Sequence, residues 1–387
     1  MTKKFFIIAG EASGDVLGAK LINEIKKQFL VKNEAVEFVG VGGKSMQEAG
    51  LRSIFAMEDL SIMGFAEILP HLFTILKRIK QTANEIIAQK PDFIITIDSP
   101  DFNFRVIKKV KNYTKAKKIH LIAPSVWAYR EQRARKVAGL YDLLLAILPF
   151  EPPYFTKYNL KTVFIGHPIT ENAPDIKIKD EASLRFRDKF GFYSHDTIIY
   201  VTPGSRKGEV KKIFPEFIAA INLLKGRVDN LSVVIPVVEK TKNIVERMAK
   251  SLDVKYVIIE REEKIGALFA ADFSLAKSGT NTLEASLYGL PMVICYKVNL
   301  LTYFLAKMLL KIRFANLINL IMEREIIPEL IQQNCNAKTI AQRMEGLINN
   351  KKIAQLQIEN SEVALKILGL GVATEPTKKA VAEILAL

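Results

Sequence analysis

Short apolar segments that alternate with helical ones constrain the fold of this chain more than any other feature. They are rich in Ile, Val, Leu and Phe and too short for helices, which is typical of strands buried on both faces of a parallel sheet. In the first half they occupy 4–9, 36–41, 93–97, 119–122, 143–148 and 163–165. After a polar stretch at about 168–196 they resume at 197–201, 231–237, 254–259, 272–276 and 292–295. From about residue 300 the pattern is helical to the C-terminus.

The alternation predicts an α/β protein with two Rossmann-like, doubly wound domains that face a cleft, followed by a helical C-terminal segment. A length of 387 residues is sufficient for two such domains. We expect residues 1–170 to form the first domain, 171–196 the junction and 197–365 the second domain, with a helix in 366–387 packing across the hinge. Ligands of such sheets bind beyond the carboxyl ends of the strands, so the loops after the strands are the candidate sites.

The chain is basic, with 56 Lys and Arg against 41 Asp and Glu and a formal net charge of +15. This excess indicates an anionic partner such as a membrane surface, a nucleic acid or a phosphorylated substrate, and a lysine-biased composition is the alternative. The two Cys cannot form a disulfide framework, and the four His have no metal-ligand spacing, so no metal and no cofactor is expected. The first apolar run is too short for a signal peptide, which predicts a cytoplasmic location.

Two amphipathic segments are more apolar than a soluble enzyme requires. Neither contains about 20 uncharged apolar residues, so neither is expected to span a membrane. Each combines an apolar stripe at helical spacing with neighbouring Lys and Arg, as helices at an anionic membrane interface do. We expect membrane or acyl contact from Phe65, Leu69, Leu72, Phe73, Leu76, Phe304, Leu305 and Met308. The alternative for either stripe is packing against the core or a domain interface.

In the first half, carboxylates follow two of the predicted strands. Glu11 and Ser13 lie in a glycine-bearing loop after the first strand, where helix capping by Ser13 or Asp15 is the alternative role. Asp98 and Asp101 follow the third strand. Burial and mutual repulsion raise the pKa of a carboxylate, which favours a general base that takes a proton from a hydroxyl. Asp98, directly after the apolar strand, is the better candidate, because Asp101 can cap the next helix.

In the second half, two loops at predicted strand ends have the composition of an anion site. The first combines glycine, a hydroxyl and a guanidinium, which together suit a diphosphate. The second opens a helix with hydroxyls and backbone N–H groups, and a carboxylate one turn later can accept ribose hydroxyls. Helix capping explains either loop alone, but two at one sheet edge indicate a nucleotide. The candidate nucleotide-binding residues are Gly204, Ser205, Arg206, Ser278, Gly279, Thr280 and Glu284.

Two further features of the first half stay open at the level of sequence. The stretch from Trp127 to Lys136 interleaves aromatic residues with cations. It suits contact with a phosphorylated acceptor or a nucleic acid, or it is a solvated helix face. His167 ends a predicted strand next to the junction and is therefore a candidate residue of the cleft.

Taken in order, these motifs resemble those of the lipid-A-disaccharide synthases. The resemblance runs from residue 9 to about 330, most of the chain, and the first two segments are far more specific than a glycine loop. The matching segments are 9–15 (AGEASGD), 97–103 (IDSPDFN), 124–128 (PSVWA), 166–168 (GHP), 203–206 (PGSR), 278–280 (SGT), Asn316, 324–325 (RE) and 328–330 (PEL).

The resemblance implies an inverting glycosyltransferase of the two-Rossmann-domain type (GT-B), with the acceptor on the first domain and the UDP-sugar on the second. It would transfer 2,3-diacylglucosamine from UDP-2,3-diacylglucosamine to the 6-hydroxyl of 2,3-diacylglucosamine 1-phosphate (lipid X). The products would be the β-1,6-linked lipid A disaccharide 1-phosphate and UDP. This step belongs to lipopolysaccharide assembly in Gram-negative bacteria, at the cytoplasmic side of the inner membrane, and needs no metal.

The resemblance also implies residue roles. Asp98 would be the base, Glu11 and Ser13 would line the acceptor side, and Arg206 and Asn316 would serve the nucleotide. The sequence departs from the small residues common in one family loop at positions 281 and 282. Rival interpretations are another UDP-amino-sugar transferase and a non-transferring UDP-sugar epimerase, and the loop at 11–15 argues against both. Dispersed cations disfavour a nucleic-acid-binding protein, and a homo-oligomer is left open.

Overall fold

A computed structural model describes residues 2–60, 65–299, 303, 308 and 312–387, with the backbone alone for 65–72. The chain divides into two compact units, Met1–Glu171 with Gly371–Leu387, and Asn172–Leu370. Each unit has its own parallel sheet and its own apolar core. The sequence-based prediction of two doubly wound α/β sheets is therefore confirmed.

The first unit contains a seven-stranded sheet with strand order 3-2-1-4-5-6-7. Its strands are β1 (Lys3–Ala9), β2 (Val36–Val41), β3 (Arg52–Ser53), β4 (Phe93–Ile97), β5 (Lys117–Leu121), β6 (Leu143–Ala146) and β7 (Lys161–Phe164). The helices that connect them are α1 (Ala12–Val31), α2 (Lys44–Glu48), α3 (Phe65–Gln89), α4 (Pro100–Val110), α5 (Arg133–Ala138) and α6 (Pro152–Thr156).

The strand order of this sheet places the first two carboxylate loops side by side. The chain winds outward in both directions from β1 and β4, which are neighbours with Ala9 paired to Ile97. The loops after these strands therefore begin at the same edge, on either side of the switch point where ligands of doubly wound sheets bind. Gly10 has to be glycine here, because a Cβ would lie 2.3 Å from the hydroxyl oxygen of Ser99.

The second unit contains a six-stranded sheet with strand order 10-9-8-11-12-13. Its strands are β8 (Thr197–Thr202), β9 (Leu231–Pro236), β10 (Lys255–Ile259), β11 (Phe273–Lys277), β12 (Met292–Tyr296) and β13 (Glu329–Ile331). Its helices are α7 (Lys179–Phe190), α8 (Lys207–Leu224), α9 (Lys242–Ala249), α10 (Lys264–Ala270), α11 (Thr280–Leu287), α12 (Leu317–Ile321), α13 (Ala337–Asn349) and α14 (Lys351–Ile367). The switch point lies between β8 and β11, and the two candidate nucleotide loops follow these two strands.

The C-terminal segment returns to the first unit, where α15 (Pro376–Leu385) packs on α1. Glu171 fastens this helix, because its carboxylate accepts a hydrogen bond from the backbone N–H of Thr377 at 2.6 Å and pairs with Lys20 of α1 at 2.9 Å. The predicted boundaries of the domains and the packing of this helix across a hinge stay predictions.

All eleven strands expected from the sequence are present, and the differences lie in the short elements. The segment after residue 300 is not helical throughout, because β13 pairs with β12 with Leu330 opposite Cys295. The polar stretch at 168–196 contains α7, which buries Phe186. The two-residue strand β3 was also not expected. Strands of two or three residues have no apolar run of their own, so only pairing with a neighbour defines them.

Among the described residues, none of the helices combines the length and the apolar character that crossing a bilayer requires. The two amphipathic segments are described in part. Phe73 and Leu76 lie on α3 with 84% and 48% of their surface exposed, and Met308 is 82% exposed. Phe65, Leu69, Leu72, Phe304 and Leu305 lie outside the described side chains.

Candidate active site

Asp98 lies at the carboxyl end of β4 in a turn of uncommon backbone geometry. Asp98 and Ser99 have φ angles of 50° and 43°, consecutive left-handed conformations that cost about 1–3 kcal/mol each outside glycine. The fold holds this turn through the side-chain amide of Asn103, which donates to the carbonyl oxygen of Asp98 at 2.7 Å. The backbone N–H of Asp98 also donates to the carbonyl of Leu121 on the next strand. Backbone strain that is held in place by surrounding hydrogen bonds is typical of functional sites.

The carboxyl group of Asp98 is more basic than an ordinary aspartate. Burial raises its pKa, and a hydrogen bond from the backbone N–H of Ser99 opposes this rise only in part. The expected second cause, repulsion from Asp101, is wrong. Asp101 is an exposed residue in the first turn of α4, and its carboxylate pairs with Arg133 at 2.7 Å.

The loop after β1 places Glu11 at the N-cap position of α1, next to the Asp98 turn at the switch point. The side chain of Glu11 does not cap its own helix. Ser13 is exposed in the first turn of α1. The loop therefore brings a carboxylate and a hydroxyl to the edge of the sheet that carries the candidate base.

Asp15 is a structural residue, but it does not cap the helix that contains it. Its buried carboxylate accepts hydrogen bonds from the backbone N–H groups of Gly43, Ser45 and Met46 at 2.8, 2.9 and 3.0 Å. These donors belong to the start of α2, so Asp15 caps a neighbouring helix. The alternative that Asp15 caps its own helix is therefore wrong, and the helix that it does cap could not be identified from the sequence.

His167 is buried at the end of β7, three strands away from β4 in the sheet. Its Nδ1 accepts a hydrogen bond from the backbone N–H of Ile169 at 3.1 Å, and burial lowers its pKa to about 4. The ring is therefore neutral at neutral pH, with its proton on Nε2. The described contacts of His167 stabilise the turn after β7 and do not bring it to Asp98.

Glu151 is buried in the loop after β6, in an environment that no local sequence pattern indicates. Its carboxylate accepts hydrogen bonds from Trp127 Nε1 at 3.2 Å and from the backbone N–H groups of Ile147 and Leu148 at 3.2 and 3.0 Å. Burial raises its pKa to about 7. Glu151 thus joins the loops after β5 and β6. The Glu-Pro-Pro sequence suggests only a helix start, so the tertiary partners could not be predicted.

In the second unit, the loop after β8 presents a guanidinium beside a glycine turn. Gly204 has a φ of +119°, and a Cβ there would lie 2.8 Å from a carboxylate oxygen of Glu209. Arg206 is the N-cap residue of α8 and lies 3.4 Å from Glu209. Ser205 is exposed between them. These residues form the clamp-like loop that the sequence predicts.

A second cation, Lys277, joins this cluster from the end of β11. Its Nζ lies 3.1 Å from Glu209 and 5.4 Å from the ring centre of Tyr296. The carboxylate of Glu209 therefore pairs with two cations, Arg206 in the loop after β8 and Lys277 at the end of the adjacent strand β11. Two cations at one strand edge suit a diphosphate. Neither Lys277 nor Glu209 was among the sequence candidates, and the lysine before the Ser-Gly-Thr motif was the available signal.

The loop after β11 is tied to its neighbours by hydrogen bonds. Asn281 donates from Nδ2 to the hydroxyl of Thr202 at 2.5 Å, and Thr282 donates to the carbonyl of Gly279 at 2.6 Å. The side chains of the two residues that depart from the family pattern thus form hydrogen bonds within the protein. Ser278 donates to the carbonyl of Ala315. Gly279 and Thr280 remain exposed at the start of α11.

Asn316 is only 2% exposed, and its described contacts lie within the protein. Its Oδ1 accepts from the backbone N–H of Ile318 at 2.7 Å and caps α12, and its Nδ2 donates to Thr282 at 3.0 Å. Asn316 therefore positions the start of α11. Glu284, one turn into α11, forms an ion pair with Lys264 at 2.6 Å. Direct contact of either side chain with a nucleotide stays a prediction.

The arrangement comprises a half-buried, basic carboxylate in the first unit and a pair of cations at a helix start in the second. In the part of the chain that the structure describes, His, Cys, Asp and Glu do not group in threes or more in positions to hold a metal ion. The chemistry that these side chains can perform is proton removal and stabilisation of an anion.

Comparison with known proteins identifies relatives along the whole chain. The sequence model of the family described as "LpxB: Lipid-A-disaccharide synthetase" matches residues 5–381. The lipid-A-disaccharide synthase of Rickettsia conorii (strain ATCC VR-613 / Malish 7) is 42% identical over 377 residues, covering 95% of this chain and 83% of the relative. The enzyme of that description from Rickettsia akari (strain Hartford) is 43% identical over 372 residues, covering 96% and 92%.

Solved structures with the same fold are more distant in sequence. A Staphylococcus aureus MnaA–UDP co-structure has a TM-score of 0.65 at 16% identity and covers 99% of this chain and 95% of its own. A UDP-GlcNAc 2-epimerase from Neisseria meningitidis, bound to UDP-GlcNAc, has a TM-score of 0.64 at 14% identity with full coverage of both chains. Acinetobacter baumannii MurG has a TM-score of 0.61 at 14% identity, also with full coverage. These likenesses concern the fold, and they confirm the GT-B class.

Proposed function

The chain belongs to the lipid-A-disaccharide synthetase family and is a glycosyltransferase of lipid A biosynthesis; on that premise we propose the reaction and the roles of its residues. The donor is UDP-2,3-diacylglucosamine, and the acceptor is 2,3-diacylglucosamine 1-phosphate (lipid X). The products are the β-1,6-linked disaccharide 1-phosphate and UDP. The observation that carries this proposal is the basic carboxylate of Asp98 in its strained turn at the β1–β4 switch point.

We propose a single displacement with inversion. Asp98 accepts the proton of the acceptor 6-hydroxyl while that oxygen attacks the anomeric carbon of the donor. The new C–O bond forms as the bond from the anomeric carbon to the diphosphate breaks, and the bond electrons leave with UDP. A raised pKa makes Asp98 a stronger base than an exposed aspartate, which supports this role. Glu11 and Ser13 orient the acceptor from the loop after β1.

The departing UDP gains negative charge as the bond breaks. Arg206 and Lys277 stabilise that charge, and Glu209 holds both cations in place before the donor binds. Preorganised donors of this kind are typically worth about 3 kcal/mol each in the transition state. The N–H groups at the start of α11 and the loop residues Ser278 and Thr280 orient the phosphates.

We also propose that the enzyme is peripherally associated with the cytoplasmic surface of the inner membrane. Both substrates are acylated and anionic, so they partition into a membrane surface. The exposed apolar residues Phe73, Leu76 and Met308 support this location, as does the net charge of +15.

The test incubates the purified protein with both lipids in neutral detergent without added metal and follows the products by mass spectrometry. We expect a disaccharide 1-phosphate and an equal amount of UDP, and neither product when one lipid is omitted. UDP release without disaccharide, or an epimerised donor, would contradict the proposed reaction. NMR of the anomeric centre then tests inversion, because a retained α configuration excludes a single displacement.

A further inference from the structure

A cavity of about 890 Å³ lies between α4 and α5 in the first unit and has no role in the function described so far. It is formed by one face of α4, by the residues that precede α5, and by α5 itself. Its lining is Pro100, Asp101, Phe104, Arg105, Lys108, Lys111, Arg130, Gln132, Arg133, Arg135, Lys136, Gly139 and Leu140. The cavity therefore brings together the cations of α4 and the cation-rich stretch that the sequence singled out.

The charge of the lining is strongly unbalanced. Seven cations line the cavity against a single carboxylate, that of Asp101, which pairs with Arg133. Like charges on a concave surface repel one another, and a bound anion removes this repulsion. Four of the seven are arginines, whose planar guanidinium groups match phosphate oxygens in pairs. The physical chemistry of the lining thus favours a phosphate.

The cavity begins close to the candidate base. Asp101 lines the cavity and follows Asp98 by three residues, a length of chain that spans at most about 11 Å. In a hexopyranose with its 6-hydroxyl at Asp98, C1 is joined to C5 through the ring oxygen, so position 1 lies on the same half of the ring as the hydroxymethyl group. A phosphate at position 1 is therefore near the reacting hydroxyl, which is compatible with the span of at most about 11 Å between Asp98 and Asp101 at the cavity.

Apolar surface adjoins these cations. A smaller cavity of about 360 Å³ is lined by Leu76 and Ile79 of α3 together with Arg105, Lys108 and Lys109. Arg105 and Lys108 therefore line both cavities. A phosphate site that continues into aliphatic side chains matches an acylated phosphate better than a nucleic acid, whose phosphates neighbour only sugars and bases.

We propose that the cavity between α4 and α5 binds the 1-phosphate of the acceptor lipid. The inference rests on the proposed function, because it takes the acceptor to be an acylated sugar phosphate. Arg133, held by Asp101, and Arg105 on the facing helix are the specificity-determining residues. They position the acceptor so that its 6-hydroxyl reaches Asp98.

The experiment compares two acceptors, 2,3-diacylglucosamine 1-phosphate and the same lipid without its phosphate, in neutral detergent. The variants are Arg133→Gln and Arg105→Gln, and Arg247→Gln is the control, since Arg247 is an exposed residue of α9 that lines neither cavity. For the phosphorylated acceptor we expect kcat/KM to fall about ten-fold or more in both variants, because a charge-assisted hydrogen bond is lost. For the unphosphorylated acceptor we expect the variants to equal the wild type.

Several outcomes would overturn the inference. One is an equal loss with both acceptors, which means a general defect. Another is an unchanged kcat/KM of the variants for the phosphorylated acceptor. If the variants then lose only their binding to phosphatidylglycerol vesicles, the cavity is a membrane-contact surface. An unchanged KM for the donor shows that the variants are folded. If the wild type forms no disaccharide at all, the proposed function fails together with the inference. If the wild type is active and the variants match it with both acceptors, only the inference fails.

Discussion

At the scale of single residues, the proposed mechanism depends on the carboxylate of Asp98. We expect Asp98→Asn to lower kcat by about 100-fold or more, because the amide cannot accept the proton of the acceptor hydroxyl. UDP binding, measured by calorimetry, should be unchanged, since the nucleotide loops lie in the other unit. Asp188→Asn, the same change at an exposed position on α7, should retain wild-type turnover. Near-normal turnover of the Asp98 variant would transfer the role of base to another group, with Glu11 the first to test.

The two cations on Glu209 should affect the donor and not the acceptor. Arg206→Gln and Lys277→Gln are each expected to lower kcat/KM for the UDP-sugar about 100-fold, because each removes a cation that stabilises the charge developing on the diphosphate. The acceptor KM should not change. Lys211→Gln removes an exposed charge of α8 and is the matched control. Initial rates at varied donor concentration measure this effect. Unaltered donor kinetics would show that these residues do not contribute to the nucleotide site.

Glu151 makes the stability of the first unit dependent on pH. Its folded pKa of about 7 lies above its ordinary value of 4.5, so the folded protein binds this proton more tightly than the unfolded chain. The free energy of unfolding therefore decreases as pH rises from 4.5 to 7, by about 3 kcal/mol at most. Glu151→Gln should remove this slope, whereas Glu34→Gln at an exposed position should keep it.

The single tryptophan, Trp127, contacts Glu151 and reports this transition directly. Urea unfolding followed by its fluorescence at pH 5, 6 and 7 measures the slope. Equal slopes in the wild type and in the Glu151 variant would show that the carboxyl group is not the titrating group.

At the scale of elements, α3 presents the apolar surface expected of a membrane contact. Phe73→Ser with Leu76→Ser should lower binding to vesicles that contain phosphatidylglycerol by about ten-fold, because two exposed apolar side chains are lost. The control variant changes Leu30 and Val31 to serine, since these are also neighbouring exposed apolar residues, at the end of α1. Vesicle sedimentation at low and high salt measures the binding. An equal loss in both double variants would mean that α3 is not the contact.

The same scale separates the elements that sequence predicts from those it does not. Strands such as β1 and β4 are predictable because each has its own run of buried apolar residues. The strands β3 and β13 are defined only by their pairing with a neighbouring strand, so no local sequence pattern predicts them. Helix α7 was missed because its sequence is mostly polar and buries a single residue, Phe186.

At the scale of the whole molecule, two doubly wound sheets place the candidate residues at two switch points. In each unit the strands that flank the switch point are far apart in sequence, β1 and β4 in the first and β8 and β11 in the second. Most candidate residues lie in the loops after these four strands, whereas His167 follows β7 and Asn316 caps α12. The proposed base and the proposed diphosphate loops thus belong to separate sheets, each with its own core.

The sequence by itself determined the α/β class, the two repeats of the alternation, the family resemblance and the loops that carry Asp98 and Arg206. These properties follow from local apolar runs and from short motifs, which do not depend on distant neighbours. Only the tertiary structure decided which side chains act on one another: that Asp15 caps α2, that Glu209 holds Lys277, and that the cations of α4 and α5 enclose one cavity. The physical reason is that hydrogen bonds and ion pairs act over a few ångströms, and strand order alone brings distant residues within that range.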